Sequence, residues 1–284
     1  MAQYVRAIKS RIANIEGIAK ITNAMNAIAM TKVMRLKRRL ASVGPYVEDL
    51  EAFTRRLAGQ RAPDAVPHPL TVDRGPDRTT ILVLNSDRGY CERYKGELNH
   101  AAEQELEKAG PAARVLAGGE KARTYFVRRG IEPLRSYANV YEPPTWTAAA
   151  GMADEIMDLF ARGEIDRVRV VYMRFASDLS QKLGTVDLLP VAVQSEPGEA
   201  LVEPDLPTAL AEVLPLYVRA KLYALMIETK TSEEAIRRRA MKSATDNAEE
   251  LLETLRRAYN RARQQSITRE IADILGGTEA LRTQ

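Results

Sequence analysis

The strongest constraint in this sequence is a seam near its start. Ile8, Ile12, Ile15, Ala19, Thr22, Asn26, Ala29, Val33, Leu36, Leu40, Val43, Val47 and Leu50 follow one another in alternating steps of four and three residues. A period of 3.5 keeps one stripe of a helix facing a partner helix along a left-handed supercoil. Proline is absent before Pro45, and Gly17 is the one interior glycine before Gly44. Gly44-Pro45 is a place for a kink, yet the spacing resumes at Val47 and Leu50. From Tyr4 to Leu57 such a helix runs about 80 Å at ~1.5 Å per residue, far beyond what a small domain needs.

The middle of the seam is built of small or polar residues, Ala19, Thr22, Asn26 and Ala29. Beside it Ile18, Ile21, Met25 and Ile28 make a second apolar row. Two apolar rows on one helix predict more than one neighbour along that stretch. Small seam residues let axes approach closely, and a polar seam residue fixes register at some cost in stability.

The last third returns to helix from about Pro207 to Leu275, with Pro215 near its start and no further Pro or Gly until Gly276-Gly277. Met241, Ala244, Ala248, Leu251, Leu255, Ala258 and Ala262 repeat the three-and-four spacing. Glu233-Glu234 with Arg237-Arg238, and Glu253 with Arg257, read as ion pairs on exposed helix faces, each contributing only ~0.2–0.5 kcal/mol. Two long terminal helices with matching seams most simply pair with each other, antiparallel, because long single helices gain their stability from such a face.

Between them lies a different pattern. The run from Ala62 to Pro69 has three prolines and ends the first helix. Strands are expected at Thr80–Leu84, Arg114–Ala117, Val168–Met173 and Lys182–Val193. Helices are expected at Tyr94–Ala109, Glu120–Arg129 and Thr145–Ala161, with Pro190 and Pro197 closing the segment. Strands alternating with helices imply a mainly parallel, covered sheet. The fold class is therefore α/β with long helices: an antiparallel coiled coil of the two terminal helices around a Rossmann-like α/β domain. The expected boundaries are 1–62, 63–205 and 206–284.

Little in this chain reads as chemistry. Ser86-Asp87-Arg88-Gly89-Tyr90-Cys91 follows the first strand, where α/β folds bind ligands, and Gly118-Gly119-Glu120-Lys121 opens a helix whose start suits an anion. Neither belongs to a G-x-G-x-x-G or a G-x-x-x-x-G-K-[ST] pattern, so both read as structural turns. The two histidines, His68 and His100, lack partners at metal-ligand spacing. Cys91 is the single cysteine, which excludes an internal disulfide and suits a packing role. No catalytic, cofactor or metal residues are expected. The N-terminus shows no secretory signal, and no stretch reaches the ~18–20 apolar residues of a membrane span.

Charge supplies the remaining signal. Residues 1–62 hold 12 Lys/Arg against 4 Asp/Glu, whereas residues 63–205 hold 17 against 23. Lys32, Arg35, Lys37, Arg38 and Arg39 concentrate the excess. Such a run suits nucleic acid, an acidic protein surface or plain solvation, and composition does not separate these. A static coiled-coil adaptor and a small enzyme with a helical arm remain open at this level.

Certain stretches carry a resemblance. Ile8-Lys9, Arg11-Ile12, Lys20-Ile21-Thr22-Asn23-Ala24-Met25 and Ala29-Met30-Thr31-Lys32 resemble the N-terminal helix of the gamma subunits of F-type ATP synthases. Met241 to Ala248, Tyr259 to Ile271, and Ile274-Leu275-Gly276-Gly277 through Ala280-Leu281 are similar to that family's C-terminal helix. Ser86-Asp87-Arg88-Gly89 resembles its central motif. The family usually continues that motif with Leu-Cys-Gly-Gly, where this chain has Tyr90-Cys91-Glu92-Arg93.

The resemblance implies a bacterial-type, non-catalytic central-stalk rotor. Its helices would turn inside a threefold ring of alpha and beta subunits, and its α/β domain would meet the epsilon subunit and the c-ring. It would lie at the cytoplasmic face of the cell membrane, peripheral to it, coupling ion transport to ATP synthesis or hydrolysis. By the same resemblance Met25, Lys32, Arg35, Arg263, Gln264 and Thr268 fall at contacts with partner subunits, and the Lys32–Arg39 run faces acidic loops of beta.

Overall fold

The computed structural model describes residues 2–59, 67–140, 142–192 and 202–282. Most of the expected proline-rich break, and Pro197, lie outside them. The chain forms two compact units, one of residues up to Ala29 with those from Arg238 onward, the other Met30–Arg237. Two helices contribute to both: α1, Ala2–Gly59, and α5, Leu206–Arg282. The helix α1 continues through Pro45, and α5 through Pro215 and Gly276-Gly277.

In the first unit α1 and α5 lie antiparallel. Thr22 Oγ1 sits 2.8 Å from Thr245 Oγ1, while Glu16 takes Arg256 at 2.8 Å. Partners therefore climb α5 as they descend α1. The seam residues Ile8, Thr22 and Ala29 are buried, and Ile12, Ile15, Ala19 and Asn26 half-buried. The polar seam position is satisfied locally, because the Thr22 hydroxyl lies 3.1 Å from the carbonyl oxygens of Ile18 and Ala19. Thr245 likewise reaches the Met241 carbonyl at 2.9 Å.

The C-terminal seam differs from the spacing read above. Leu252 is buried and Leu251 is 44% exposed, while Tyr259 is half-buried and Ala258 exposed. The inward set is Met241, Thr245, Ala248, Leu252, Leu255, Tyr259, Ala262 and Ser266. The seam takes Thr245 as the mate of Thr22, and stepping on from there by three and four selects Leu252 and Tyr259. Apolarity alone does not choose between Leu251 and Leu252.

The second unit is built on a five-stranded sheet in the order β3-β2-β1-β4-β5. Its strands are β1 (Thr79–Leu84), β2 (Arg114–Gly118), β3 (Arg135–Tyr137), β4 (Arg167–Phe175) and β5 (Gln181–Leu189). β1 pairs in parallel with β2 and β4, and β2 with β3, whereas β5 runs antiparallel to β4. β1 is buried at all six residues, as a central parallel strand covered on both faces must be. One face, carrying Ile81, Val83, Val115 and Ala117, packs with Leu98, Ala102 and Phe126 of α2 (Tyr94–Ala109) and α3 (Glu120–Arg128). The other, carrying Leu82, Leu84 and Leu116, packs with Met152, Ile156 and Phe160 of α4 (Trp146–Ala161) and with Leu214, Val218 and Leu222 of α5.

β3 has no counterpart among the expected strands, because three residues at a sheet edge carry no periodicity. β5 ends at Leu189 rather than Val193, since Pro190 has no N–H to give the ladder. Thr145 caps α4 by accepting from the Ala148 N–H at 3.2 Å, which explains the helix start.

Candidate functional site

In open α/β sheets, ligands bind beyond the carboxyl ends of the strands, where the strand order reverses. Here that crevice lies between β1 and β4, and α5 fills it. The Thr229 hydroxyl donates to the Leu84 carbonyl at 3.2 Å and accepts from the Met173 N–H at 3.1 Å. Ser232 Oγ donates to the Met173 carbonyl at 3.0 Å, and Glu228 Oε1 accepts from the Phe175 N–H at 3.2 Å. The buried Tyr94 hydroxyl closes the far side, 3.0 Å from Thr229 Oγ1. Backbone groups that would greet a nucleotide are thus satisfied by the chain's own helix.

The two turns singled out in the sequence lock against each other. Asp87 Oδ1 accepts from the Glu120 N–H at 2.9 Å, so a carboxylate already occupies the start of α3. Gly119 has φ +93°, and any Cβ there would collide with the Asn85 carbonyl. Asn85 Nδ2 donates to Asn99 Oδ1 at 2.7 Å, which ties the turn to α2. Cys91 is buried 4.0 Å from Ser86 Oγ, and burial pushes its thiol up, away from a reactive thiolate. His68 Nδ1 accepts from the Leu70 N–H, and His100 faces Gln104 and Glu103. Both turns are held by contacts within the chain itself.

A buried ionic cluster stands beside the first turn. Lys230, Glu233, Glu234 and Arg237 of α5 have side chains only 4%, 2%, 1% and 7% exposed. Lys230 Nζ contacts Glu142, Glu233 Oε2 at 3.0 Å and Glu234 Oε1 at 3.6 Å. Arg237 contacts Glu233, and Glu234 at 2.8 Å, and its guanidinium also donates to the Gly89 carbonyl at 3.3 Å. Lys32 of α1 completes the cluster, 3.3 Å from Glu142 and 3.2 Å from Glu234. Burial would raise the Glu142 carboxyl, but hydrogen bonds and charge from Lys230 and Lys32 bring it down to about 2. Glu142, Glu233 and Glu234 lie close enough to suggest a cation site. The Lys230 ammonium contacts all three and supplies that cation itself.

The pairs at Glu233-Glu234 and Arg237 are therefore buried rather than solvated, which corrects the surface reading above. The pairs sit in a stretch that also carries Met226, Ile227 and Ile236, all buried. Lys230, Glu233, Glu234 and Arg237 fall at helix steps of three and four, on one face, and that was the signal available. The Glu253–Arg257 pair is exposed, as expected.

The residues expected at partner contacts are dispersed. Met25 is half-buried on α1, while Arg263, Gln264 and Thr268 of α5 are exposed. Arg35 is exposed, and Lys32 is engaged in the ionic cluster. In the second apolar row Ile18, Ile21 and Ile28 are 49%, 62% and 58% exposed. Stepping twenty residues from Thr22 to Ala2 and from Thr245 to Gln265 brings α1 to its start. Beyond that level Ile267, Ile271, Ile274 and Leu275 of α5 are exposed as well.

A family model described as ATP synthase matches residues 4–281. The ATP synthase gamma chain of Symbiobacterium thermophilum is 34% identical, over 99% of this chain and 100% of its own length. That of a Parafrankia species is 36% identical, over 99% of each. This chain belongs to the ATP synthase gamma chain family. The fold agrees: a chain in the Euglena gracilis mitochondrial ATP synthase structure (OSCP/F1/c-ring) superposes with a TM-score of 0.70 at 17% identity, over 99% of this chain and 95% of that one. A chain of the Tetrahymena thermophila central stalk and c-ring structure gives 0.61 at 20%, over 79% and 99%. In the loop after the first turn Glu92 has φ 47°, so a charged residue holds the left-handed backbone that glycine takes freely.

Proposed function

We propose that this chain is the central-stalk rotor of an F-type ATP synthase, non-catalytic itself. It couples ion flow through the membrane sector to the cycling of the catalytic beta subunits, in synthesis or hydrolysis. The observation that carries the reading is the second apolar row. The helix pair has closed its inner seam, yet Ile18, Ile21 and Ile28 remain exposed beside it. Covering the half of each that remains exposed would contribute about 1 kcal/mol, which over the row favours a sleeve of partner subunits around this stretch. The filled crevice supports the same reading, because it leaves the sheet no ligand site of the usual kind.

In this reading Met25, Lys32, Arg35, Arg263, Gln264 and Thr268 meet the ring of three alpha and three beta subunits, and exposed Arg35 answers acidic beta loops. The α/β domain meets epsilon and the c-ring. No helix among the described residues is long and apolar enough to cross a membrane, and membrane attachment at the cytoplasmic face is through partners. Co-expression with alpha and beta tests this. The chain alone should hydrolyse no ATP and should co-purify with a ring that does. Deleting Arg263 to Gln284 should weaken coupling or assembly while the sheet domain stays folded. A truncated chain that supports wild-type coupled synthesis would overturn the placement of these contacts.

A further inference from the structure

We infer that Glu142 is a pin that carries turning force between the helices α1 and α5 and the sheet domain of the second unit, because it holds both helices at once. This rests on the rotor reading. Three carboxylates serve the ionic cluster, and two of them, Glu233 and Glu234, belong to α5 itself. Glu142 alone comes from elsewhere, the segment between β3 and α4. It bonds Lys230 of α5 and Lys32 of α1 at once, and Arg88 of the loop after β1 lies 3.9 Å away.

Apolar side chains interlocked along a helix resist rolling through their fit, and a buried ionic tie adds a resistance that depends on charge. Charge-assisted hydrogen bonds are directional and short, so a buried one resists rotation of either helix about its axis. Pro144, two residues on, adds a second tie, its carbonyl accepting from Arg39 of α1 at 3.0 Å. Arg237 bonds the Gly89 carbonyl, and Thr229, Ser232 and Glu228 bond the strand ends; among these ties Glu142 is distinguished by holding both helices at once.

The cluster also makes the test clean. Without the Glu142 charge, Lys230 still has Glu233 and Glu234, and Lys32 still has Glu234. Glu142→Gln therefore takes the charge out of the tie, leaving at most a neutral acceptor, and leaves no buried cation unpaired. The measurement is angular fluctuation of the sheet domain, read from a bead attached to it, with the ring of the assembled complex fixed and stalled. Glu142→Gln should widen the variance at least about two-fold, and Glu142→Asp should restore part of the stiffness. Lys32→Gln loses one of the two lysine bonds that Glu142 makes and should widen it less. Lys242→Gln, at an exposed pair on α5, should leave it unchanged. Equal variance in wild type, Glu142→Gln and Lys32→Gln would overturn the pin. Failure of the wild-type chain to turn at all would instead refute the rotor reading beneath it.

Discussion

Glu142 shows how one carboxylate can be held ionised against its own burial. Its pKa of about 2 in the fold, against an ordinary value of 4.5, means folding favours the charged form. A lowered carboxyl adds stability that is complete above the ordinary value and disappears as pH falls through about 2. The shift corresponds to roughly 3 kcal/mol near neutrality and about half of that at pH 3. Urea unfolding of wild type against Glu142→Gln should show the gap narrowing between pH 7 and pH 3. The neighbouring turn offers an opposite case. Glu92 holds a left-handed φ of 47°, a conformation that costs a residue with a Cβ about 1 kcal/mol. Glu92→Gly should therefore raise the urea midpoint, by about 0.5–1 kcal/mol of stability. The sequence disclosed that glycine was missing from this motif, but whether the turn kept its shape required the backbone angle.

At the scale of elements, the long helices and the central strands were legible because their periodicity extends over many residues. The seam of α1 was readable position by position, since small residues flanked by isoleucines leave one consistent frame. The seam of α5 was not, because Leu251 and Leu252 are adjacent and equally apolar, and only the Thr22–Thr245 contact fixes the frame. Leu252→Ala should cost about 2–4 kcal/mol through loss of buried volume, and Leu251→Ala, at 44% exposure, under 1 kcal/mol. Thermal unfolding of the two variants checks the frame, and equal losses would put both leucines at the seam. The ionic cluster escaped for a different reason. Charges at helix steps of three and four look alike on a solvated face and against a sheet, and tertiary burial decides between them. Glu142, the residue that completes the cluster, is 88 positions from Lys230, a distance no local pattern spans.

For the molecule as a whole, two observations bear on function. The crevice of the sheet is closed by Thr229, Ser232 and Glu228 of α5. The paired helices of the other unit keep apolar residues exposed outside their seam. Relatives named as gamma chains match along nearly the full length, and both observations suit a part that turns within others. The direct test is a single assembled complex with its ring fixed to a surface and a marker on this chain's sheet domain. On adding ATP, the account predicts stepwise rotation of the marker in one direction, with three pauses per turn. A marker that stays still while the same complexes hydrolyse ATP would contradict it.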